Sequence, residues 1–188
     1  MNKFILTVFL ASTIIITNAQ NYCSPTELPF KGGEKIIYDV EYKMGKTWVS
    51  AGKVRFLVKD SIYNNKSCLY LEGKGKSLKS YDWFFKVRDK YASFISKENY
   101  KPIHFIRRVR EGEFYLDFDY DFDYEKKIAK IKEKKKEGEK QETIKIEKCS
   151  YDIMTSVYFS RAIDFSTMHI DDTAGIDIVL DKQIFKDV

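Results

Sequence analysis

Between Ile103 and Ile146, apolar and polar residues alternate so regularly that this stretch has one economical solution: antiparallel strands with one buried face. Phe114, Leu116, Phe118, Tyr120, Phe122 and Tyr124 fall on one side, and Tyr115, Asp117, Asp119, Asp121 and Asp123 on the other. A two-residue turn at Glu111-Gly112 sets Val109 opposite Phe114, Arg107 opposite Leu116, Phe105 opposite Phe118 and Ile103 opposite Tyr120. On the outer face it brings His104 to Asp119 and Arg110 to Glu113. A second turn at Tyr124-Glu125 pairs Asp123 with Lys126, Asp119 with Lys130 and Asp117 with Lys132, and lays Phe118 beside Ile131. A third, near Glu137-Gly138, sets Ile131 against Ile144 and Ala129 against Ile146. One register that satisfies both faces three times predicts a four-stranded meander.

The same period recurs upstream. Ile36, Tyr38, Val40 and Tyr42 share a face that reads as buried, against Asp39 and Glu41, and Val54, Phe56 and Val58 oppose Lys53, Arg55 and Lys59. Asn64-Asn65 is a turn signal before a strand over 67–72, with Leu69 and Leu71 on one side. Helical spacing takes over from Ser150 to Asp164, where Ile153, Val157, Tyr158 and Ala162 recur, widened by Met154 and Phe159. Ser150 is placed to cap this helix and Asp152 to favour its first turn. Strand pattern resumes over Gly175 to Val188 and is still running at the last residue, so further closing strands are expected. The fold class is therefore mainly β: an antiparallel curved sheet or half-barrel meander with one covering α-helix.

Residues 1–19 have the layout of a secretory signal peptide: Lys3, an apolar run from Phe4 to Thr17, and the small exit Thr17-Asn18-Ala19. The run is about 14 residues, against the roughly 20 of a membrane-spanning helix. Cys23 follows Asn21-Tyr22, which does not make a lipobox. Cleavage after Ala19 leaves residues 20–188 as a single β-rich domain in the periplasm or medium, with no transmembrane segment. The leader holds one of the 33 basic residues and none of the 28 acidic ones, so the remainder carries +4. That charge suits a soluble domain with a mild preference for acidic partners such as anionic lipid or envelope polysaccharide. Nucleic acid is disfavoured by the compartment and by the acidic neighbours of the basic residues. Cys23, Cys68 and Cys149 are an odd set in an oxidising compartment. Their spacing fits no zinc or redox motif, and it leaves a Cys68–Cys149 bridge or a free core thiol.

No nucleophile elbow, C-x-x-C, H-E-x-x-H or phosphate loop is present, and no cofactor is implied. Gly73-Lys74-Gly75-Lys76 looks like a loop but lacks the rest of a P-loop. The Asp117 to Asp123 series opens like a calcium loop, yet Phe122 stands where the turn glycine is needed, so a charged face paired with the next strand's lysines is the better reading. Lys126 to Lys140 reads as an exposed hairpin kept soluble by mixed charge, with docking on anionic lipid as the alternative. His104 reads as a cross-strand partner of Asp119. The segment from Tyr81 to Tyr91 is less easily absorbed. Three consecutive aromatics, Trp83, Phe84 and Phe85, cannot all face one side of a strand. The plainer reading puts them in the core and across a sheet edge. The functional one makes Trp83, Phe84 and Phe85 an apolar cleft, with Arg88 holding an anionic head group and Asp89 and Tyr91 alongside.

The same residues carry a resemblance. Phe30-Lys31-Gly32-Gly33-Glu34, Ile37-Tyr38-Asp39-Val40, Ala51-Gly52, and Asp82-Trp83-Phe84-Phe85 with Val87-Arg88-Asp89 and Tyr91 resemble the bacterial domain-of-unknown-function 3108 (DUF3108) family. Pro102, Glu111-Gly112 and Tyr151-Asp152-Ile153-Met154 with Tyr158 and Arg161 fit the same pattern. The resemblance implies an exported or envelope protein whose chain continues through more strands, and no reaction. Its shape is loosely similar to that of periplasmic lipoprotein carriers. Three functions follow as expectations: a non-enzymatic binding or carrier protein for a lipid or other amphiphile; a structural module binding an envelope protein; and an envelope glycan-acting enzyme using Asp82 or Asp89.

Overall fold

The computed structural model describes residues 20–21, 25, 27–135, 138–170 and 174–186; the expected leader and Cys23 lie outside the described residues. Eight strands form one open sheet in strict chain order: β1 (Lys35–Met44), β2 (Thr47–Tyr63), β3 (Lys66–Ser77), β4 (Arg88–Ser96), β5 (Pro102–Glu111), β6 (Phe114–Asp123), β7 (Ile128–Lys135) and β8 (Gly138–Lys145). Every neighbouring pair is antiparallel, and β1 and β8 are the two edges. The meander expected over 103–146 is present as β5 to β8, and it extends backward through four more strands.

The faces follow the alternation, but each predicted register is displaced by two residues. Val109 pairs with Leu116, Phe105 with Tyr120 and His104 with Asp121. Tyr120, not Phe118, faces Ile131, and Ala129 faces Ile144. A shift of two keeps every side chain on its own face, so alternation alone cannot detect it. Turn chemistry decides it. The first turn is Gly112-Glu113, with positive φ at Gly112 (59°) and not at Glu113, the pattern of a II′ turn with glycine first. The second connection has four residues, Tyr124 to Lys127. Its left-handed residue is Lys127 (φ 54°), and the Asp123 carboxylate accepts from the Lys126 N–H at 2.9 Å. At Asn64-Asn65 the expected turn is found, with φ of 48° and 61°, as a I′ hairpin requires.

The helix is shorter than its periodicity predicts. Ser150–Asp152 is a strand, β9, and α1 runs only over Ile153–Phe159, with Ser160–Ala162 as a 3-10 turn. The cap is Asp152, not Ser150: its carboxylate accepts from the Thr155 N–H (2.9 Å), the Thr155 hydroxyl (2.7 Å) and the Ser93 hydroxyl (2.8 Å). β9 is drawn out of the helix by parallel pairing to β10 (Asp177–Leu180), which turns through Asp181-Lys182 into β11 (Gln183–Phe185). The expected strand over Gly175 to Val188 is thus a hairpin within its described residues.

α1 and the β9–β10–β11 sheet cover the inner face. Val58, Leu71, Phe105, Tyr120 and Ile131 are buried there with Met154, Tyr158, Phe159 and Val179. Phe30 packs edge-on to Tyr158 (4.8 Å), and Arg161 forks onto Glu34 at 2.6 and 2.9 Å, tying the segment before β1 to the end of α1. Cys68 is a buried free thiol and Cys149 is disulfide-bonded, so the Cys68–Cys149 pairing does not occur. Among the described residues no helix is long and apolar enough to cross a membrane.

Candidate functional site

The cover is incomplete. α1 sits on β3 and β4, and beyond Met154 the inner face of β1, β2 and β3 meets no second layer. An apolar trough opens there, of about 570 Å³, walled by Val40, Tyr42 and Met44 of β1 on one side and Tyr81, Phe84, Phe85 and Val87 on the other. Val54, Gly75 and Asp89 are shared with a second depression of about 310 Å³ that runs under α1 to Met154 and Val157. The two form one channel along the inner face. Tyr38 and Tyr42 were expected to be buried by alternation. They are 54% and 65% exposed, because a face needs a partner layer as well as a pattern.

Glycines make the floor. The Gly73-Lys74-Gly75-Lys76 run is not a loop but the last part of β3, with lysines outward and glycines inward. A Cβ added at Gly75 would meet nothing nearer than the Asp89 Cβ at 4.0 Å, so the space above it is open. At Gly73 a Cβ would come within 3.2 Å of the Met154 sulfur and 3.3 Å of Phe56, so there the helix fills the space.

The aromatic wall comes from the connection between β3 and β4. It is a 3-10 turn (Lys79–Tyr81) followed by tight turns as far as Phe84, so the three aromatics stand outside any strand. Both the Phe84 and Phe85 N–H groups donate to the Tyr81 carbonyl at 2.9 Å. This curl sends successive rings in different directions. Trp83 is 85% exposed, Phe84 77% and Phe85 48%. They are not core, which corrects the plainer reading. The curl is pinned at its base: the Leu78 N–H donates to the Ala51 carbonyl and the Gly112 N–H to the Lys86 carbonyl, both at 2.9 Å.

Arg88 does not reach the trough. Its guanidinium donates to the Asp82 carboxylate (2.6 Å), the Ser77 hydroxyl (3.0 Å) and the Val87 carbonyl (2.6 Å), and it faces a groove on the outer side of the sheet. Asp82 also accepts from the Ser77 hydroxyl at 2.7 Å, and these bonds hold its carboxyl below the usual carboxylate range. Of the six candidate residues, Phe84, Phe85, Asp89 and Tyr91 line the channel, Trp83 flanks it against Phe84 (5.9 Å between rings), and Arg88 braces the curl from behind.

One polar feature enters the trough. Asp89 accepts from the Arg110 N–H at 2.9 Å and is hydrogen-bonded to Glu111, and both carboxyls line the wall. Burial, then the charge of Asp89, push the Glu111 carboxyl up. Sequence reading missed Glu111, Met44 and Val49 as wall residues, and no local pattern marks them. The inward glycines of β3 were the available signal, since a Gly-x-Gly step in a strand bares one face.

On the outer face the aspartate series of β6 is engaged as an ion-pair ladder. Arg108 forks onto Asp119 (2.7 and 2.8 Å), Arg110 reaches Asp117 (2.7 Å) and His104 Nδ1 meets Asp121 (2.7 Å). The lysines of β7 stand directly opposite in register.

No curated protein and no solved structure matches the chain. A family model described as "Protein of unknown function (DUF3108)" matches residues 37–188, which takes in every strand of the sheet, the aromatic curl and α1. The sheet, its trough and the aromatic segment all lie within that match, and the chain belongs to the DUF3108 family.

Proposed function

We propose that this chain is an exported, non-enzymatic binding or carrier protein that holds the hydrocarbon part of a lipid or other amphiphile in the inner-face trough. The observation that carries this reading is two exposed apolar walls, Tyr42 and Met44 against Phe84 and Phe85, facing each other across a glycine floor. An apolar surface of this kind on a folded domain marks an interaction site, and the volume lies in the range of ligand sites. The disulfide at Cys149 supports an oxidising compartment.

A second reading, a module that binds an envelope protein, rests on β1. It is a ten-residue edge strand with exposed Ile37, Tyr38, Tyr42 and Met44, open to pairing with another chain. A glycan-acting enzyme has less support. Asp82 is tied up by Arg88, and Asp89 touches Glu111, whereas a retaining carboxylate pair stands about 5 Å apart.

The two tryptophans, Trp48 and Trp83, are both exposed; Trp83 packs against the wall residue Phe84 and reports on the trough, whereas Trp48 pairs with Lys43 and serves as the control. Titration with a lysophospholipid below its micellar concentration should shift their emission to the blue, and native mass spectrometry should show a one-to-one adduct. Trp83→Phe should remove most of the shift and Trp48→Phe little of it. Unchanged emission with no adduct would refute the carrier reading and turn attention to β1.

A further inference from the structure

The outer face of β2, β3 and β4 departs from a rule that β6 and β7 keep. Across β6 and β7, charges opposite one another in register have opposite signs: Asp117 with Lys134, Asp119 with Lys132, Asp121 with Lys130. Across β2, β3 and β4 they have the same sign. Lys53 stands opposite Lys76 and Arg55 opposite Lys74; on the other side of β3, Lys74 stands opposite Lys90 and Lys76 opposite Arg88. Like charges directly opposite on a sheet are destabilising. Four such pairs in one patch are a cost that the fold itself does not require, the kind of local inconsistency found at functional sites.

These side chains, joined by Lys35 of β1, line a groove of about 570 Å³ on the outer face. Four carboxylates offset part of the charge, Asp89 of the lining and three that pair with its cations. Glu72 lies beneath Arg55 (2.6 Å), Lys74 (3.1 Å) and Lys90 (4.0 Å); Asp39 pairs with Lys53; Asp82 pairs with Arg88. Seven cations against four anions leave an excess of three, and among the described residues Lys35 and Lys76 make no ion pair.

We propose that this groove is a binding site for a compact group carrying two phosphoryl anions, whether on a soluble molecule or on a lipid head group. Two phosphoryl groups at about −1.5 to −2 each carry enough charge to balance this excess. The two guanidinium and five ammonium groups are the donors such oxygens recognise. A long polyanion fits poorly, because the groove is flanked by Glu41 of β1 on one side and by the aspartates of β6 on the other. The proposal does not rest on the amphiphile reading, although Lys53, Gly75, Lys76 and Asp89 contribute to the walls of both sites.

Sodium pyrophosphate is the probe, added to the whole chain at physiological salt, with calorimetry and thermal melting as readouts. Binding is expected, with a rise in melting temperature. Lys35→Gln with Lys76→Gln should weaken it about tenfold or more, since a charge-assisted hydrogen bond is worth about 1.5–3 kcal/mol. Without pyrophosphate the same variant should melt higher than the parent, because a like-charge clash has been removed. Lys130→Gln with Lys134→Gln removes equal charge elsewhere and should leave binding unchanged. Absence of binding, or equal loss in this control, would overturn the proposal. Vesicles of phosphatidylcholine, with and without a polyprenyl diphosphate, separate the sources. Retention that pyrophosphate competes away puts the phosphoryl groups on lipid, and pyrophosphate binding without retention puts them on a soluble ligand. Retention that pyrophosphate cannot displace overturns the groove as the site.

Discussion

Gly75→Val separates the trough from the fold that carries it. Gly75 is a mid-strand residue without a positive φ, and its added Cβ would meet only the Asp89 Cβ at 4.0 Å. The valine side chain would stand over the floor between Val54 and Asp89, the residues opposite it in register. Glycine in a strand costs roughly 0.5–1 kcal/mol relative to alanine, and a β-branched residue suits a pleated surface better. Stability should therefore rise by about 0.5–1 kcal/mol, or about 1–4 °C in melting temperature for a chain of this size. Ligand binding should move the other way. An isopropyl group on the floor displaces about three methylenes of a bound chain, at about 0.8 kcal/mol each. That is about 2.5 kcal/mol, or nearly a hundredfold in Kd. The assay is displacement of a fluorescent fatty acid beside a thermal melt of the same sample. Gly73→Val two residues away is the counterpart: Met154 and Phe56 already occupy its space, so overpacking should cost about 1–3 kcal/mol. A Gly75→Val protein that folds, melts at or above the parent and binds the probe equally well would refute the trough as the ligand site.

Two further outcomes test the frame around it. Burial alone would lower the His104 pKa, but hydrogen bonds and charge from Asp119 and Asp121 outweigh it and raise the imidazole to about 9. A folded-state pKa above the unfolded value of about 6.5 gives stability that is complete below pH ~6.5 and is lost as pH climbs through 9. Discounted for the exposure of Asp121, the loss is on the order of 1–2 kcal/mol, and urea melts of the parent and His104→Gln at pH 6 and 9 should converge at the higher pH. Asp152→Ala should cost about 2–4 kcal/mol in urea melts, since it strips the α1 cap and leaves buried Ser93 and Thr155 hydroxyls unpaired; Asp152→Asn, which keeps an acceptor, should cost less than half of that.

Faces were legible in this sequence and registers were not, and the reason lies in the period of a strand. Phe118 could be placed on the inner side by counting, but its neighbour could not, because a slide of two residues preserves every polar and apolar match. What fixed the slide was which residue of each turn took a left-handed φ, Gly112 in one and Lys127 in the other. The helix was overextended for a related reason. Tyr151 completes an apolar stripe as well in a helix as in a strand, and its pairing with Ile178 depends on a segment far along the chain. The aromatic curl shows a different limit. Trp83, Phe84 and Phe85 were identifiable as surplus to a strand, but their exposure follows from the Tyr81 carbonyl gathering two N–H groups, which no pattern announces.

Two departures from ordinary sheet rules concentrate on β1 to β4, uncovered apolar residues inward and like charges outward, the latter reaching β5 where Lys90 stands opposite Arg108. β6 and β7 pair opposite charges outward and bury Leu116, Phe118, Tyr120 and Ile131 inward, with only Phe114 at the start of β6 exposed among these inward residues. Gly75 and Lys76 are neighbours in β3 that look to opposite faces, so they offer the cleanest test of whether the two departures serve one ligand or two. If the sites are separate, Gly75→Val should leave pyrophosphate affinity within about twofold, Lys76→Gln should leave fatty-acid affinity equally unchanged, and the double variant should show the sum of the two losses to within about 0.5 kcal/mol. If one amphiphile instead spans the open edge at β1, with its chain in the trough and its charged head in the groove, each substitution must weaken the other ligand. Reciprocity then requires the same factor in both directions. Lys53, Gly75, Lys76 and Asp89 contribute to both walls, but continuous backbone pairing between β2, β3 and β4 runs between the two sites, and independence is the expected result.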